Sequence, residues 1–347
     1  PFLYLAGNAV DCHCDMKWLQ DINDMCHMPF VPDWKNINCY NLMDEIAGIT
    51  WIDELDPDDF LCPYTEQCIA FTCDCCEYLD QCPCFYRCPS ECKCYYNLDR
   101  SIDIVNCTGT GLTEIPKNIP VSATVILLDR NNITFISNDA FYRNNKIIEL
   151  HLNNNKISQI DSTAFETSTN LKFLYLHSNN LTDASENFTE SLSKLGNLTL
   201  HDNSLMKFDF HSLANMPNIQ YVTLMDNNLT TLNLHEFVST LQSLYLSGNP
   251  WLCDCSFGIP FQNWLTKNAQ ILPDAKKVTC GKSIKKSSVN HDILGAVTNV
   301  SEDGVLNVDF SSCITPEKLS VLVEDKLKII ILSVMTSVLI IVGVAGI

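Results

Sequence analysis

Basic residues are scarce in this chain of 347 residues, which has 22 Lys and Arg against 41 Asp and Glu and a formal net charge of −19. Because so negative a chain repels the phosphate backbone, we expect no nucleic-acid partner. No Ser or Cys nucleophile is accompanied by a suitably spaced base, so we expect no enzyme, no catalytic residues and no cofactor. Four histidines on or near the strands predicted below are interpreted as surface residues: His151, His177, His201 and His211.

A second C-x-x-C pair is missing, although the chain has nineteen cysteines. Cys73 and Cys76 form one such pair, whereas zinc sites usually combine two pairs at a regular separation, so we expect no metal. A thioredoxin-like redox centre would need a strand–helix–strand pattern around the pair, and none is present. The cysteines therefore predict disulfides formed on the secretory route. Eleven cysteines precede Cys88, so one of their thiols is free or paired elsewhere.

The chain opens without an initiator Met and without a charged-then-apolar leader, so we expect an entry signal to have been removed or to lie upstream. Near the other end, the uncharged run "IIILSVMTSVLIIVGVAGI" would span roughly 28 Å as a helix. This run predicts a truncated transmembrane helix over residues 327–347 of a single-pass type I plasma-membrane protein, with residues 1–325 extracellular. Seven Asn-x-Ser/Thr glycosylation sequons favour the same placement: Asn106, Asn132, Asn180, Asn187, Asn197, Asn228 and Asn299.

A repeat of twenty-four residues dominates the middle of the chain. The pattern L-x-x-L-x-L-x-x-N-x-L starts at Ile147 and recurs in five further copies that start at Ala123, Leu171, Leu195, Ile219 and Leu241. Each copy predicts a short strand with its Leu-x-Leu residues inward, and stacked copies predict a parallel sheet on a curved solenoid. One Asn per copy has an amide that can satisfy backbone groups at the bend: Asn131, Asn155, Asn179, Asn203, Asn227 and Asn249.

This pattern resembles the leucine-rich repeat family, and two cysteine-containing stretches resemble the caps of its extracellular members. "CPSECKCYYNLDRSIDIVNCTGTGLTEIPKNIP" resembles the N-terminal cap and "NPWLCDCSFGIPFQNWL" the C-terminal cap. Spacing alone allows three connectivities in each cap. The resemblance implies four disulfides: Cys88–Cys94, Cys92–Cys107, Cys253–Cys280 and Cys255–Cys313.

The first residues repeat the end of this array, because "LYLAGNAVDCHC" has the register of "LYLSGNPWLCDC". We therefore predict a Cys12–Cys39 disulfide. Trp18 lies four residues after Cys14, whereas Trp264 lies nine after Cys255, so the short helix there should start differently. The predicted organisation is an upstream array end (1–10), a C-terminal cap with an extra cysteine knot (11–87), an N-terminal cap (88–120), six repeats (121–250), a C-terminal cap and juxtamembrane segment (251–325), and the membrane helix (327–347).

The predicted fold class is thus an α/β leucine-rich-repeat solenoid, or horseshoe, with disulfide-rich N- and C-terminal caps and a following transmembrane helix. This order, with the knot "LCPYTEQCIAFTCDCCEYLDQCPCFYRCPSECKC" between caps, resembles the multiple-cysteine-cluster type of invertebrate Toll receptor without its cytoplasmic domain. The resemblance implies a signalling receptor of innate immunity or development that forms homodimers or heterodimers. It also implies a secreted ligand, a cystine-knot cytokine of the Spätzle kind.

Two other classes share these features. One is an adhesion or guidance molecule with a non-signalling tail, and the other is a lipid-anchored decoy clipped after Ser311 or Ser312. In each class the outward strand positions are the candidate protein-binding face, although strand propensity also favours aromatics there: Glu149, His151, Phe173, Tyr175, His177, Tyr221, Met225 and Tyr245.

Size limits what this concave face can bind. Six strands of five residues cover on the order of 450 Å², whereas a standard partner face buries roughly 800 Å². We therefore expect this part to act chiefly as a spacer and receptor–receptor contact, with the knot fixing the angle between two solenoids.

Overall fold

The computed structural model describes residues 2–21, 30–40, 50–64, 88–184, 191–233, 240–281 and 304–310. The chain divides into two compact units, Pro1–Leu246 and Ser247–Ile347, and each is described by itself. The described strands all lie in the first unit: β1 (Ala9–Asp11), β2 (Asn38–Tyr40), β3 (Thr50–Trp51), β4 (Cys62–Pro63), β5 (Lys93–Tyr96), β6 (Asp103–Asn106), β7 (Val125–Leu127), β8 (Phe135–Ile136), β9 (Glu149–His151), β10 (Gln159–Ile160), β11 (Phe173–Tyr175), β12 (Asp183–Ala184), β13 (Asn197–Thr199), β14 (Lys207–Phe208), β15 (Tyr221–Thr223) and β16 (Ser243–Tyr245).

The main sheet follows the sequence repeat. Six strands, one from each copy, lie side by side and parallel in the order β7, β9, β11, β13, β15 and β16. The central residue of each strand is fully buried, as Leu150 and Leu174 are, because alternate strand residues point to opposite faces. Strands β6, β5 and β4 extend this sheet to nine strands, with β5 antiparallel to both of its neighbours.

The repeat asparagines connect consecutive copies. Asn155 donates from Nδ2 to the carbonyls of Leu128 (2.9 Å) and Leu152 (3.1 Å), and its Oδ1 accepts from the amide of Ile133 (3.0 Å). Asn131, Asn179, Asn203 and Asn227 make equivalent bonds. Their structural role is therefore confirmed.

The convex side of the array differs from the predicted α/β class. Its described segments are turns, the two-residue parallel pairs β8–β10 and β12–β14, and a 3-10 helix at Phe210–Asn215. Phe141 and Phe165 stack at 5.9 Å between ring centroids and fill the interior behind these segments. With 24 residues per turn, little chain remains to form a helix, and no α-helix occurs in the described part of this side.

The front of the first unit is a small module with its own core. Strands β1, β2 and β3 form a sheet, and Leu19, Ile37, Ile52 and Phe60 pack with Cys12 and Cys39. Two disulfides close the module: Cys12–Cys39, which is the predicted pair, and Cys14–Cys62, for which the sequence indicated no pairing.

The second unit is built around one helix, α1 (Gly258–Lys267). Trp251 is fully buried against Phe261, at 5.0 Å between ring centroids, and Gln262 donates to the carbonyls of Val305 and Val308. Helix α1 starts three residues after Cys255, whereas a 3-10 helix, Cys14–Leu19, starts at Cys14 itself, so the two helices do start differently.

The disulfides of both cysteine-rich stretches agree with the family pattern. The structure contains Cys88–Cys94, Cys92–Cys107 and Cys253–Cys280. Cys255 is also disulfide-bonded, and its predicted partner Cys313 lies outside the described residues.

The predicted membrane helix is corrected. In the ranges that the structure describes, no helix has both the length and the apolar character needed to cross a bilayer, because α1 is the longest at ten residues. Residues 327–347 lie outside those ranges. The fold class supported is a leucine-rich-repeat-like β-solenoid with disulfides.

Candidate protein-binding face

Constant register arranges the outward residues of the main sheet in rows across the strands. The two residues that flank each buried central position face outward, and each pairs with its counterpart in the next repeat. The first row is Val125, Glu149, Phe173, Asn197, Tyr221 and Ser243. The second row is Leu127, His151, Tyr175, Thr199, Thr223 and Tyr245.

A cluster of histidine and tyrosine rings occupies the middle of this face. The His151 and Tyr175 rings lie 4.2 Å apart between centroids, and His177 lies edge-on to Tyr175 at 6.5 Å. His177 and His201 stack face to face at 4.3 Å with only 8° between their planes. The twenty-four-residue spacing of these two histidines explains the stack, because residues one repeat apart occupy neighbouring positions on adjacent turns.

Hydrogen bonds fix the orientation of each histidine. His177 Nδ1 lies 2.8 Å from the Thr199 hydroxyl, and His201 Nδ1 lies 2.8 Å from the Thr223 hydroxyl. His151 Nε2 contacts the Glu149 carboxylate at 2.7 Å. Each ring therefore has a partner on its own or the next strand.

Burial makes the stacked histidines poor bases. Burial first, and then the neighbouring His201 and His151, lower the pKa of His177 to about 4, while Asp202 and Asp129 act in the opposite direction. Burial likewise lowers the pKa of His201. The pair is thus neutral at pH 7, which suits a stacked, half-buried surface rather than general base catalysis.

Two tyrosines form a second patch on the face. Tyr221 and Tyr245 lie 5.5 Å apart between ring centroids, and burial raises the pKa of Tyr221. Phe173 is 38% exposed, and Met225, which follows β15, is partly buried.

The eight predicted residues therefore separate into distinct groups. Glu149, His151, Tyr175 and His177 come together, Tyr221 pairs with Tyr245, and Phe173 and Met225 belong to neither ring cluster. His201, which the sequence placed at the surface, joins the first group by stacking on His177, and Thr199 and Thr223 hold the two rings.

A second region of interest joins the front module to the repeats. Strand β4, which contains Cys62, pairs with β5, which contains Cys94. The Tyr64 hydroxyl donates to the Asp103 carboxylate, and Asn97 donates to Asp58 at 3.0 Å. Burial raises the pKa of both Tyr64 and Asp103, because their charged forms lose hydration there. This joint is made of backbone ladder, buried polar contacts and the apolar cluster of Leu61, Tyr95 and Ile104.

Candidate metal ligands do not cluster in the part of the chain that the structure describes. No group of three or more His, Cys, Asp or Glu side chains that could hold an ion occurs within the described ranges. The Nδ1 atoms of His177 and His201 are each paired with a threonine hydroxyl.

Comparison with known proteins places the repeats in context. A leucine-rich repeat family model matches residues 122–181. "Toll-like receptor 7" of Drosophila melanogaster is 40% identical over 143 residues, which cover 41% of this chain and 10% of that protein. "Toll-like receptor 7" of Mus musculus is 41% identical over 61 residues, which cover 18% of this chain and 6% of that protein. The matches thus span about a tenth or less of these relatives' length.

A solved structure, a complex of TLR13 with ssRNA13, aligns with a TM-score of 0.40 and 22% identity over 48% of this chain and 27% of that chain. This score is too low to support an argument about what the present chain binds. From the family model and the receptor matches, the chain contains a leucine-rich repeat domain similar to Toll-like receptors, which fits a receptor-like role.

Proposed function

We propose that this chain is part of the extracellular region of a Toll-like signalling receptor of innate immunity or development, and that its repeats act chiefly as a rigid spacer and receptor–receptor contact. The proposal rests on the similarity of the repeats to Toll-like receptors and on the joint between the front module and the array. The receptor would bind a secreted cystine-knot cytokine of the Spätzle kind through another part of its ectodomain.

The joint is the observation that carries the spacer role. A disulfide links Cys14 to Cys62 in β4, and β4 hydrogen-bonds to β5 of the next module, so a covalent bond and a strand pair connect the two modules. The hydrogen bond from the Tyr64 hydroxyl to the Asp103 carboxylate adds a side-chain contact to this connection. A connection of this kind resists bending, because tilting the modules would break the backbone hydrogen bonds between β4 and β5.

The small size of the concave face also supports a role in receptor–receptor contact rather than in ligand binding. Its six strands cover on the order of 450 Å², about half of a standard partner face. Contacts of that area are weak in solution but can hold two copies together once a ligand bridges them, because bridging raises their effective concentration.

Binding measurements on a secreted ectodomain that includes this chain test the proposal. Recombinant cystine-knot cytokine is the probe, and the variants are Tyr175→Ala with Tyr221→Ala on the concave face and Tyr142→Ala, an exposed residue of the convex side, as control. We expect cytokine affinity within twofold of the parent for all variants, and weaker concentration-dependent self-association in sedimentation for the concave variant alone. A tenfold loss of cytokine affinity in the concave variant would make this array the ligand site and overturn the proposal.

A further inference from the structure

The concave face contains a groove that the ring clusters do not explain. It lies where β11, β13, β15 and β16 begin, has a volume of about 620 Å³, and runs across Lys172, Gly196 and Gln220, which occupy the same position in three successive repeats. Gly196 is the position without a side chain, so it forms the floor.

The glycine is not required by the backbone. Gly196 is absent from the residues with positive φ, and a Cβ added there would meet the carbonyl oxygens of Asn218 at 3.6 Å and Lys172 at 3.7 Å, which is ordinary contact. The backbone at this position therefore accepts a Cβ, and glycine leaves the groove open there.

The lining is rich in hydrogen-bond donors and carries positive charge. Lys172 and Lys194 contribute two cations, and none of the described residues that line the groove carries a carboxylate, in a chain of net charge −19. Lys194 is held in place by Asn170 Oδ1 at 2.6 Å. Asn197 is partly exposed, and its amide can donate two hydrogen bonds from Nδ2.

Two aromatic residues flank the floor. Phe173, Asn197 and Tyr221 are consecutive in one row, so the two aromatic residues stand two strands, or about 10 Å, apart with the smaller Asn197 between them. Aromatic faces combined with a few amides and charges are typical of pockets for small polar ligands with an apolar face. Sugar rings have this character, because their C–H groups lie on one face and their hydroxyls at the edge.

A peptide ligand is less favoured by the backbone. Strand β13 lies between β11 and β15, and its backbone groups are already paired on both sides, so an extended peptide cannot add as a new strand here. The donors instead match an oxygen-rich anion. We propose that this groove binds an acidic saccharide unit, a sulfated or uronate-bearing sugar ring, with Lys172 and Lys194 on its anionic groups and Phe173 and Tyr221 beside its ring.

Calorimetric titration of the whole chain, produced with its disulfides intact, tests the groove. The probe is a sulfated, uronate-containing tetrasaccharide prepared from heparin, which should bind saturably at one site. Gly196→Leu fills the groove and should weaken binding at least tenfold with an unchanged thermal midpoint. Lys172→Gln should weaken it severalfold, and the exposed Lys156→Gln, outside the groove, should not.

Three comparison titrations separate the alternatives. Equal binding of neutral chitotetraose, of hexaglutamate or of inorganic sulfate would overturn the proposal in favour of a neutral sugar, an acidic peptide or a simple anion, respectively. Asn197 heads a glycosylation sequon, so mass spectrometry and enzymatic deglycosylation are included. Tetrasaccharide binding that occurs only after removal of an Asn197 glycan would identify the chain's own glycan as the occupant and also overturn it. None of these outcomes depends on the proposed receptor role.

Discussion

Replacing one repeat asparagine should lower the free energy of unfolding of the array, and its hydrogen bonds determine by how much. Asn179 Nδ2 donates to the carbonyls of Leu152 (2.9 Å), Leu176 (3.0 Å) and His177 (3.3 Å), and its Oδ1 accepts from the amide of Ile157 (2.9 Å). The substitution Asn179→Ala removes all four bonds at once.

The four bonds do not contribute equally. The carbonyls of Leu152 and Leu176 keep a second donor each, from Asn155 at 3.1 Å and Asn203 at 3.0 Å, and the carbonyl of His177 still accepts from the amide of Asn154. The buried amide of Ile157, in contrast, loses its acceptor. One orphaned buried donor costs about 1–3 kcal/mol, and the void left by the amide adds about 1 kcal/mol, so we expect a loss of about 2–4 kcal/mol.

Guanidinium denaturation of the oxidised protein measures the total, and hydrogen exchange resolved to the Ile157 amide measures the local effect. Exchange at Ile157 should accelerate more than at any amide of the front module. Asn145→Ala, an exposed asparagine of the same array, is the matched control and should stay within about 0.5 kcal/mol of the parent. If Asn179→Ala behaved like the control, the claim that the asparagines hold the repeats together would be wrong.

Three shorter predictions follow from the same structure. Ser178 has φ 55°, so Ser178→Gly should stabilise by about 1 kcal/mol in denaturation, and a result no better than Ser178→Ala would refute this. The pKa of His177 is lowered from 6.5 to about 4, so the folded state resists protonation and its stability, complete above pH 6.5, should fall as pH drops through 4. Because solvent screens this half-buried ring, we expect acidification to reduce the free energy of unfolding by about 1 kcal/mol through His177. His177→Phe should lack this loss, and an identical dependence of stability on pH in the variant and the parent would contradict the prediction. Removing the Cys14–Cys62 disulfide, whose cysteines have a sequence separation of 48, should cost up to about 4 kcal/mol by loop closure, and unchanged unfolding of the double Ala variant would refute that.

Much of the array could be predicted because its signals are local and repeated. The Leu-x-Leu positions such as Leu150 and Leu174 are buried as expected, since a twenty-four-residue period leaves one solution for stacking turns. Asn155 and its equivalents were recognisable for the same reason. The pair Cys12–Cys39 followed from the similarity between two stretches of one chain.

Other features depended on contacts between residues that no pattern connects. The Cys14–Cys62 disulfide and the β4–β5 pairing join segments whose separation carries no period. The predicted α/β class was wrong for the described repeats, because their convex side consists of turns, short strand pairs and a 3-10 helix around the Phe141–Phe165 stack. The predicted membrane helix is likewise not supported, since no helix in the described ranges could cross a bilayer.

The amino-acid sequence by itself determined the number of turns, the inward leucines and the asparagine ladder, because each is encoded within one repeat and multiplied. Only the tertiary structure decided which outward residues meet. The stack of His177 on His201, and the groove that Gly196 leaves open between Lys172 and Gln220, arise from the shared register of neighbouring turns. Side-chain packing across those turns depends on ring orientation and burial, which a linear pattern does not specify.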